Sequence, residues 1–345
     1  MELVLVPDDP FRAVQVPAWK RYWVPTPPSY WPSLPMRAQI EELASASRWD
    51  AVIAIQLHVA QYALGVKGAR YVLDLDTSLS HQMLERYQSS RGAKQRTQAY
   101  ISWKKAERYE AQISRQFNVC AVASPVEMTL ARQLIDGSDC RVVLVANGVD
   151  CGYNQPALAP KVQGRLVYNG ALTYSVNFDA MQYFLAEIYP LIKTKCAAAS
   201  LMITGKNKGV DLNALALDDS VALTGYVEDI RMPVASASVC VAPIRQGSGT
   251  RLKLLEAMAL GTPVVATRKA AEGLEVVDEE HLLLADTPQQ FAVAVLRLFD
   301  DRALSAQLAR NARMLVERCY NWDRISCEFG ELVTTAAANA RSTER

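Results

Sequence analysis

One segment in the second half of the chain combines glycines, two cations and a carboxylate. It runs Gly247-Ser248-Gly249-Thr250-Arg251-Leu252-Lys253-Leu254-Leu255-Glu256, between an apolar run and a stretch of helix-forming residues. Glycines let a backbone approach a phosphate closely, and the N–H groups at a helix start attract an anion. Arg251 and Lys253 oppose the helix dipole unless an anion lies nearby. We therefore expect a nucleoside diphosphate here, with Glu256 accepting hydrogen bonds from ribose hydroxyls and Thr250 capping the helix or contacting the anion.

The same residues also allow a simpler interpretation. Gly247 and Gly249 can form a tight turn between a strand and a helix, with no ligand involved. Arg251 and Lys253 are then solvated surface charges whose aliphatic stems cover apolar surface. Short motifs occur often by chance, so the segment alone leaves both interpretations open.

The elements that must position this segment alternate between strands and helices. Short apolar runs recur from Asp50 onward, separated by stretches with helical spacing, and Ser124-Pro125 is typical of a helix start. This alternation predicts an α/β protein with parallel sheets and crossover helices. The predicted strands are 51–55, 71–73, 118–123, 141–145, 166–168, 200–204, 221–224, 239–243 and 263–267, and the predicted helices are 59–65, several within 80–117, 125–134, 178–195, 228–236 and 252–260.

Composition narrows the class of protein. With 345 residues the chain is long enough for two domains, and its formal net charge of +1 argues against nucleic acid as a partner. The seven cysteines include no Cys-x-x-Cys pair, which argues against a zinc ribbon or a disulfide scaffold and favours a reducing cytoplasm. No apolar run approaches the roughly 20 residues that span a bilayer, and Met1–Val6 lacks a basic leader, so we expect neither a membrane span nor a secretory signal.

A series of short motifs follows in order from Tyr168 to Trp322. They are Asn169-Gly170, Asn177-Phe178-Asp179-Ala180, Ile203-Thr204-Gly205, Thr224-Gly225-Tyr226-Val227, the Gly247–Glu256 segment with Ala257-Met258-Ala259, Gly261-Thr262-Pro263-Val264-Val265-Ala266-Thr267, Glu272-Gly273-Leu274 and Tyr320-Asn321-Trp322. This ordered set resembles the donor domain of retaining glycosyltransferases of family 4. The form Gly-Ser-Gly-Thr-Arg-Leu-Lys is similar to one subgroup of that family.

The resemblance implies a GT-B fold, in which two Rossmann-like domains face a cleft. Residues 1–155 would form the acceptor-side domain, shortened by the loss of its first strand–helix unit, because a Pro-rich stretch, Pro7–Pro35, stands where that unit is expected. Residues 165–320 would form the donor domain, and a C-terminal helix over 321–340 would cross back to the first domain. The resemblance also implies a UDP- or GDP-linked sugar as a substrate, retention of anomeric configuration, and no cofactor or metal.

Family positions carry over to specific residues of this chain. Gly170 and Gly205 would lie against the donor phosphates, Tyr226 and Val227 would border the base, and Glu256 would bind the ribose. The remaining donor-site residues that the resemblance implies are Gly247, Ser248, Gly249, Thr250, Arg251 and Lys253. Arg251 and Lys253 are also the catalytic candidates, because a metal-free transferase needs cations to meet the charge on the leaving diphosphate. Ser248 stands where much of the family has a glutamate, which leaves open how the donor sugar is bound.

The first half of the chain offers fewer candidates. Asp76 lies in Asp74-Leu75-Asp76-Thr77-Ser78 after a predicted strand, in a stretch that resembles the same subgroup, and could orient an acceptor hydroxyl as a third catalytic residue. A turn or helix-cap role for Asp76 is equally open. His58 and His81 are possible acid–base groups, although a structural or surface role is the stronger expectation for each.

These observations favour a metal-independent retaining glycosyltransferase. It would move a sugar from a nucleotide donor to a glycan or lipid-linked acceptor in cell-surface polysaccharide biosynthesis, in the cytoplasm and with peripheral contact at the inner face of the membrane. Ser248 and the shortened start keep open a nucleotide-sugar-binding protein without turnover. A dinucleotide-dependent oxidoreductase is disfavoured, because no Gly-x-Gly-x-x-Gly follows a predicted strand.

Overall fold

The computed structural model describes residues 33–247 and 249–343. The predicted strand-like run Met1–Val6, nearly all of the Pro-rich stretch and Ser248 lie outside the described residues. The chain divides into two compact units. Unit 1 comprises the residues up to Ala146 together with those from Ser326 onward, and unit 2 comprises Asn147–Ile325.

Unit 1 contains a four-stranded parallel sheet in the order β1-β2-β3-β4. Ser124 is the N-cap of the helix that precedes the last strand of this sheet. The Ser124 Oγ accepts the N–H of Glu127 at 3.2 Å, so the predicted helix start is confirmed. The strands are β1 (Ala51–Ile55), β2 (Arg70–Asp76), β3 (Val119–Val122) and β4 (Arg141–Leu144), and the helices are α1 (Leu34–Ala46), α2 (Leu57–Ala63), α3 (Leu79–Ser89), α4 (Ala93–Ser114) and α5 (Pro125–Leu134).

Unit 2 contains a six-stranded parallel sheet in the order β10-β9-β8-β5-β6-β7. Its strands are β5 (Val162–Asn169), β6 (Ser200–Thr204), β7 (Val221–Gly225), β8 (Ala237–Ala242), β9 (Val264–Ala266) and β10 (Leu283–Leu284). Its helices are α6 (Ser175–Tyr183), α7 (Tyr189–Lys195), α8 (Arg231–Ser236), α9 (Leu252–Ala259), α10 (Pro288–Asp300) and α11 (Arg302–Cys319), and α12 (Trp322–Thr343) follows and continues into unit 1.

The strand order of unit 2 reverses between β5 and β8. After β5 the chain builds outward through β6 and β7, then returns to the other side of β5 to form β8, β9 and β10. Doubly wound sheets bind ligands at such a switch point, outside the carboxyl ends of the two central strands. The prediction of an α/β protein with two parallel-sheet domains is confirmed. The switch point places the expected ligand site at the loops after β5 and β8.

Each sheet is buried by apolar side chains. In unit 1, Leu73, Cys120 and Val142 pack with residues of α4 on one face of the sheet. On the other face, Val72 and Val119 pack with the α12 residues Phe329, Leu332, Val333 and Ala336. In unit 2 the strand residues Leu166, Val167, Val239, Val241 and Val265 are fully buried.

Two local predictions of helix bounds were wrong. The helix expected from Glu228 begins at Arg231, because Asp229 accepts the Arg231 N–H at 3.0 Å and holds the preceding residues in a turn. The single helix expected over 178–195 is interrupted by a π-helical segment, Phe184–Ile188, just before Pro190, whose ring nitrogen lacks a donor for a regular helix.

No helix in the described parts of the chain is long and apolar enough to cross a bilayer.

Candidate functional site

The donor-site residues predicted from sequence converge on one edge of the unit 2 sheet. Gly170 follows β5, Gly205 follows β6, and Tyr226 and Val227 follow β7. The Gly247–Glu256 segment follows β8 and forms the start of α9. Because all these strands are parallel, their carboxyl ends meet at the same edge. The loops after β5 and β8 flank the switch point itself.

Backbone contacts hold three of these loops together. The Gly205 N–H donates to the carbonyl of Gly225 at 2.8 Å, and the Gly170 N–H donates to the carbonyl of Thr204 at 3.2 Å. Gly205 has a φ of 103°, and a Cβ at this position would lie 2.7 Å from the backbone nitrogen of Ala171. Only glycine meets both conditions, so Gly205 lets the loops after β5 and β6 lie against each other.

The loop after β8 turns sharply into α9. Gly247 and Gly249 have φ values of 91° and 89°, which glycine adopts readily. Arg251 is the N-cap residue, and its guanidinium donates to the carbonyl of Gly247. Thr250 does not cap the helix, contrary to one of the two roles expected for it, because the capping position falls on Arg251. Its buried Oγ1 has no hydrogen-bond partner among the described residues.

Lys253 extends from the first turn of α9 to the end of β5. Its Nζ donates to Asn177 Oδ1 at 2.9 Å and lies 3.9 Å from the ring centroid of Tyr168. The Tyr168 hydroxyl donates to the same Asn177 oxygen at 2.7 Å, which fixes that oxygen toward the lysine. A Cβ at Gly170 would lie 2.6 Å from the lysine Nζ and 3.0 Å from Asn177 Nδ2, so a side chain here would displace the Lys253 ammonium.

Burial lowers the pKa of Lys253 to about 7, and the nearby charge of Arg251 acts in the same direction. The protein interior disfavours the charged ammonium, and only a cation–π contact and one amide oxygen compensate for the lost water. An anion beside Nζ would favour the charged form and raise this pKa. The site is therefore arranged so that a bound anion and a proton on Lys253 stabilise each other.

Glu256 lies one turn further along α9. Its Oε2 accepts a hydrogen bond from Asn169 Nδ2 at 3.0 Å, and Asn169 is the last residue of β5. Burial raises the pKa of Glu256, whereas the Asn169 hydrogen bond and the charge of Lys253 lower it. The Asn169 Oδ1 in turn lies 3.7 Å from the buried thiol of Cys240 on β8. The carboxylate is thus oriented by the two central strands.

Three site residues had no role assigned from sequence. Tyr168, Asn169 and Asn177 connect α9 to the end of β5. Asn169 and Asn177 belong to the recognised motifs, but their partners are 76 to 87 residues away in the chain. The available signal was an asparagine directly after a buried strand, because a buried amide requires a partner.

The residues expected to border the base have different exposures. The Tyr226 side chain is 74% exposed at the end of β7, and Val227 is half-buried. An exposed aromatic ring at this edge offers a face on which a planar group can stack.

Asp76 ends β2 in unit 1 and lines a small cavity of about 160 Å³. It has a φ of 55°, and Gln56 at the end of the adjacent strand has a φ of 72°. Non-glycine residues seldom adopt such values, and those that do are concentrated at functional sites. His58 lines the same cavity, and burial lowers its pKa. Asp76 and His58 are therefore together, at the carboxyl ends of two adjacent strands.

His81 belongs to a structural network. Its Nδ1 lies 3.3 Å from Glu127 Oε1, and Glu127 also accepts the Ser78 N–H at 3.2 Å. Ser78 caps α3 through its Oγ, and the buried Glu110 accepts the Ser80 N–H at 2.6 Å. These contacts fix the turn that follows Asp76, which agrees with the structural role expected for His81.

Comparison with known families gives a match within the second half of the chain. Residues 163–301 match the family model described as Glycosyl transferases group 1. This stretch is thus similar to a group 1 glycosyltransferase domain. A phosphatidyl-myo-inositol mannosyltransferase of Mycolicibacterium smegmatis is 28% identical over 215 residues, which are 58% of this chain and 53% of that protein. The chain thus matches about half the length of this curated relative.

Solved structures establish the fold. A sucrose-phosphate synthase from Thermosynechococcus elongatus aligns with a TM-score of 0.73 and 18% identity, covering 95% of this chain and 83% of that one. Anabaena HepE in complex with UDP aligns with a TM-score of 0.67 and 16% identity, covering 89% and 85%. HepE has also been solved with UDP-glucose. The predicted GT-B fold is confirmed.

The lowered pKa of Lys253 predicts how stability depends on pH. Between about pH 7 and the higher pKa of an unfolded lysine, the unfolded chain binds one more proton than the folded chain at this position. Stability that depends on Lys253 therefore rises with pH across this window. In urea denaturation at pH 6 to 10, the difference in free energy of unfolding between the wild type and Lys253→Met should shift in favour of the wild type as pH rises.

Lys208→Met is the matched control, because Lys208 is exposed in the same unit. Its difference from the wild type should stay constant with pH. A constant difference for Lys253→Met as well would show that Lys253 titrates normally.

Proposed function

We propose that this protein is a retaining glycosyltransferase that uses a nucleoside-diphosphate sugar. The observation that carries the proposal is the position of Lys253 and Glu256, both on α9 and both tied to the end of β5 at the switch point of a group 1 domain. Lys253 is suited to bind a diphosphate, and Glu256 is suited to bind a ribose. They lie about one helical turn apart.

The donor diphosphate would bind at the amino end of α9. Lys253 supplies positive charge, the Thr250 hydroxyl supplies a donor, and the helix start supplies backbone N–H groups. As the sugar–phosphate bond breaks, negative charge builds on the leaving diphosphate, and a fully protonated Lys253 would stabilise that charge. Because the chain itself provides this cation and Arg251 beside it, we propose that catalysis is independent of a metal.

The ribose would bind at Glu256. Burial and the Asn169 hydrogen bond fix this carboxylate, and its acceptor capacity matches two adjacent hydroxyls. Tyr226 and Val227 would border the base, and Gly170 and Gly205 would allow close approach to the phosphates. The HepE complexes make UDP and UDP-glucose the first ligands to test.

Glu256→Ala should weaken UDP binding by about tenfold or more, because charge-assisted hydrogen bonds contribute on the order of 1.5–3 kcal/mol each. Isothermal titration calorimetry with UDP measures this directly. Glu187→Ala changes an exposed carboxylate in the same unit and should leave the affinity unchanged. Equal UDP affinity for Glu256→Ala and the wild type would remove Glu256 from the ribose role.

The acceptor would be a glycan or a lipid-linked glycan of the cell surface, bound in unit 1 near Asp76. Support comes from the strained backbone of Asp76 and Gln56 beside a cavity that also contains His58. The mannosyltransferase relative is named for a lipid acceptor, which favours a lipid-linked molecule here. Asp76 would accept the hydrogen bond of the reacting hydroxyl and orient it. Retention of the anomeric configuration is proposed from the resemblance to retaining glycosyltransferases.

A nucleotide-sugar-binding protein without turnover is the second candidate, favoured by Ser248 in place of a family carboxylate. Transfer assays with UDP-glucose and a panel of lipid-linked and free glycans distinguish the two. We expect wild-type product with the anomeric configuration of the donor by NMR, and Asp76→Asn should lose at least tenfold in transfer while binding UDP normally. Normal UDP binding without transfer to any acceptor would favour the binding protein.

We further propose that the protein works at the cytoplasmic face of a membrane. Residues 86–108 contain seven Lys and Arg residues and one Glu, although the whole chain has a net charge of only +1. On α3 and α4 the rings of Tyr87, Tyr100 and Trp103 pack together, with centroid distances of 5.5–5.8 Å. Lys104 lies 4.0 Å from the Trp103 ring centroid. Cations beside Trp and Tyr side chains suit an anionic lipid surface.

The wild type should therefore co-sediment with vesicles containing phosphatidylglycerol, and binding should decrease as salt is raised. Replacing Arg86, Arg91 and Lys94 together by Gln should reduce binding at least fivefold. Replacing Lys206 and Lys208, which are exposed in unit 2, should have little effect. Equal binding to neutral phosphatidylcholine vesicles would contradict an electrostatic membrane contact.

A further inference from the structure

A second cavity lies within unit 2, at the amino-terminal ends of the sheet strands. The donor site lies at the opposite, carboxyl ends of the same strands. The volume of the cavity is about 940 Å³, within the range of small-molecule sites. Its lining includes residues at or just before the amino-terminal starts of β5, β8 and β9. The end of α10 and one side of α11 complete it.

The sheet separates this cavity from the donor site. Ser238 lines the cavity near the start of β8, whereas Ala242 at the other end of β8 leads into the Gly247 loop. At about 3.3 Å per residue, these two positions are roughly 13 Å apart. None of the residues assigned to the donor lines the cavity. It is a separate site and does not depend on the function proposed above.

Most of the wall is apolar. Phe299 and Leu298 at the end of α10 contribute largely buried side chains, and Pro156, Pro263 and several alanines contribute small surfaces. Met314 on α11 lines the same cavity and is 60% exposed. A concave apolar wall beside an exposed methionine is suited to an apolar group larger than a few atoms.

All the ionisable residues in the lining are basic. They are Lys161, Arg302, Arg310 and Arg313, and no Asp or Glu is among the lining residues. Lys161 Nζ donates to Thr262 Oγ1 at 2.8 Å, and Arg313 donates to the carbonyls of Ala259 and Cys151 at 2.7 and 3.0 Å. Among the described residues, neither Arg302 nor Arg310 forms a salt bridge. These two guanidiniums on α11 are the available anion-binding groups.

The wall is held in shape by backbone constraints. Ala157 has a φ of 61°, a value that alanine rarely adopts. A Cβ at Gly261 would lie 3.3 Å from Pro156 Cβ, so this glycine lets the segment before β5 lie against the turn after α9. Arg313 also donates to the carbonyl of Asn154, so its three contacts tie the segment before β5 and the end of α9 to α11. The cavity is thus formed by a fixed backbone.

We propose that this cavity binds an amphipathic phosphate, with its apolar chain against Phe299 and Met314 and its anionic head between Arg302 and Arg310. A purely apolar ligand would leave the two exposed guanidiniums without an anionic partner, and a purely polar anion would leave the apolar wall hydrated. A molecule with both parts satisfies both surfaces.

Dodecyl phosphate below its micelle-forming concentration is the probe, and calorimetry is the measurement. The wild type should bind it at least tenfold more tightly than it binds inorganic phosphate or the uncharged dodecyl maltoside. Arg302→Ala with Arg310→Ala should weaken binding at least tenfold, and so should Ala309→Trp, which places a bulky side chain in the lining of the cavity. Arg318→Ala changes an exposed arginine of α11 outside the lining and should bind normally.

UDP titration of each variant shows whether unit 2 is intact, because the donor site lies at the other edge of the sheet. If no protein binds UDP, the wild type included, the result would count against the proposed donor function but would not affect the proposal for the second cavity. Undiminished binding of dodecyl phosphate by the double arginine variant would overturn the proposal. Equal affinity for inorganic phosphate would overturn the apolar part of it.

The source of the phosphate is distinguished by a second arm. Phosphatidate in phosphatidylcholine vesicles presents the same head group with its chains held in a bilayer. Competition by these vesicles against dodecyl phosphate would identify a membrane lipid as the ligand, and failure to compete would identify a soluble amphiphile.

Discussion

The contact between Lys253 and the end of β5 is the interaction on which the candidate site depends. The ammonium lies against Tyr168 and Asn177, where burial lowers its pKa to about 7. A lysine in such a place is poorly compensated, because one amide oxygen and one aromatic ring replace its hydration shell. Folding holds it there because the rest of α9 is buried, with Leu254, Leu255, Ala257 and Met258 fully inside unit 2. The buried helix therefore keeps an under-compensated cation at the edge of the sheet, where an anion can reach it.

The topology of unit 2 explains why this edge collects the chemistry. Parallel strands end at a common edge, and the reversal of strand order between β5 and β8 leaves the loops after these two strands diverging from each other. The hydrogen bond between Asn169 and Glu256 joins the end of β5 to α9, and Gly205 lets the loops after β5 and β6 lie against each other. The same helix α9 ends at Ala259, two residues before Gly261, which lines the second cavity. One buried helix thus contributes to both edges of the sheet.

The sequence predicts the alternation of strands and helices well, because each crossover unit carries its own local signals. Ser124 with Pro125 is one of these, and the buried run of β8 is another. Local signals could not show that Asn177 bonds Lys253, since the partners are 76 residues apart and meet only through the sheet order. Of the two roles expected for Thr250, the helix cap is not observed, because the two glycines turn the chain so that Arg251 occupies the capping position. The packing of Ala336 of α12 on the unit 1 sheet likewise has no local signal, because its partners Val72 and Val119 are distant in the chain.

The most direct test of this account is the number of protons taken up when UDP binds. With a pKa of about 7, Lys253 is mostly neutral at pH 8, and a diphosphate beside it should restore the proton. Calorimetric titrations with UDP at pH 8, in two buffers of different ionisation enthalpy, give this number. We expect uptake approaching one proton for the wild type and none for Lys253→Met. UDP binding by the wild type without proton uptake would contradict it.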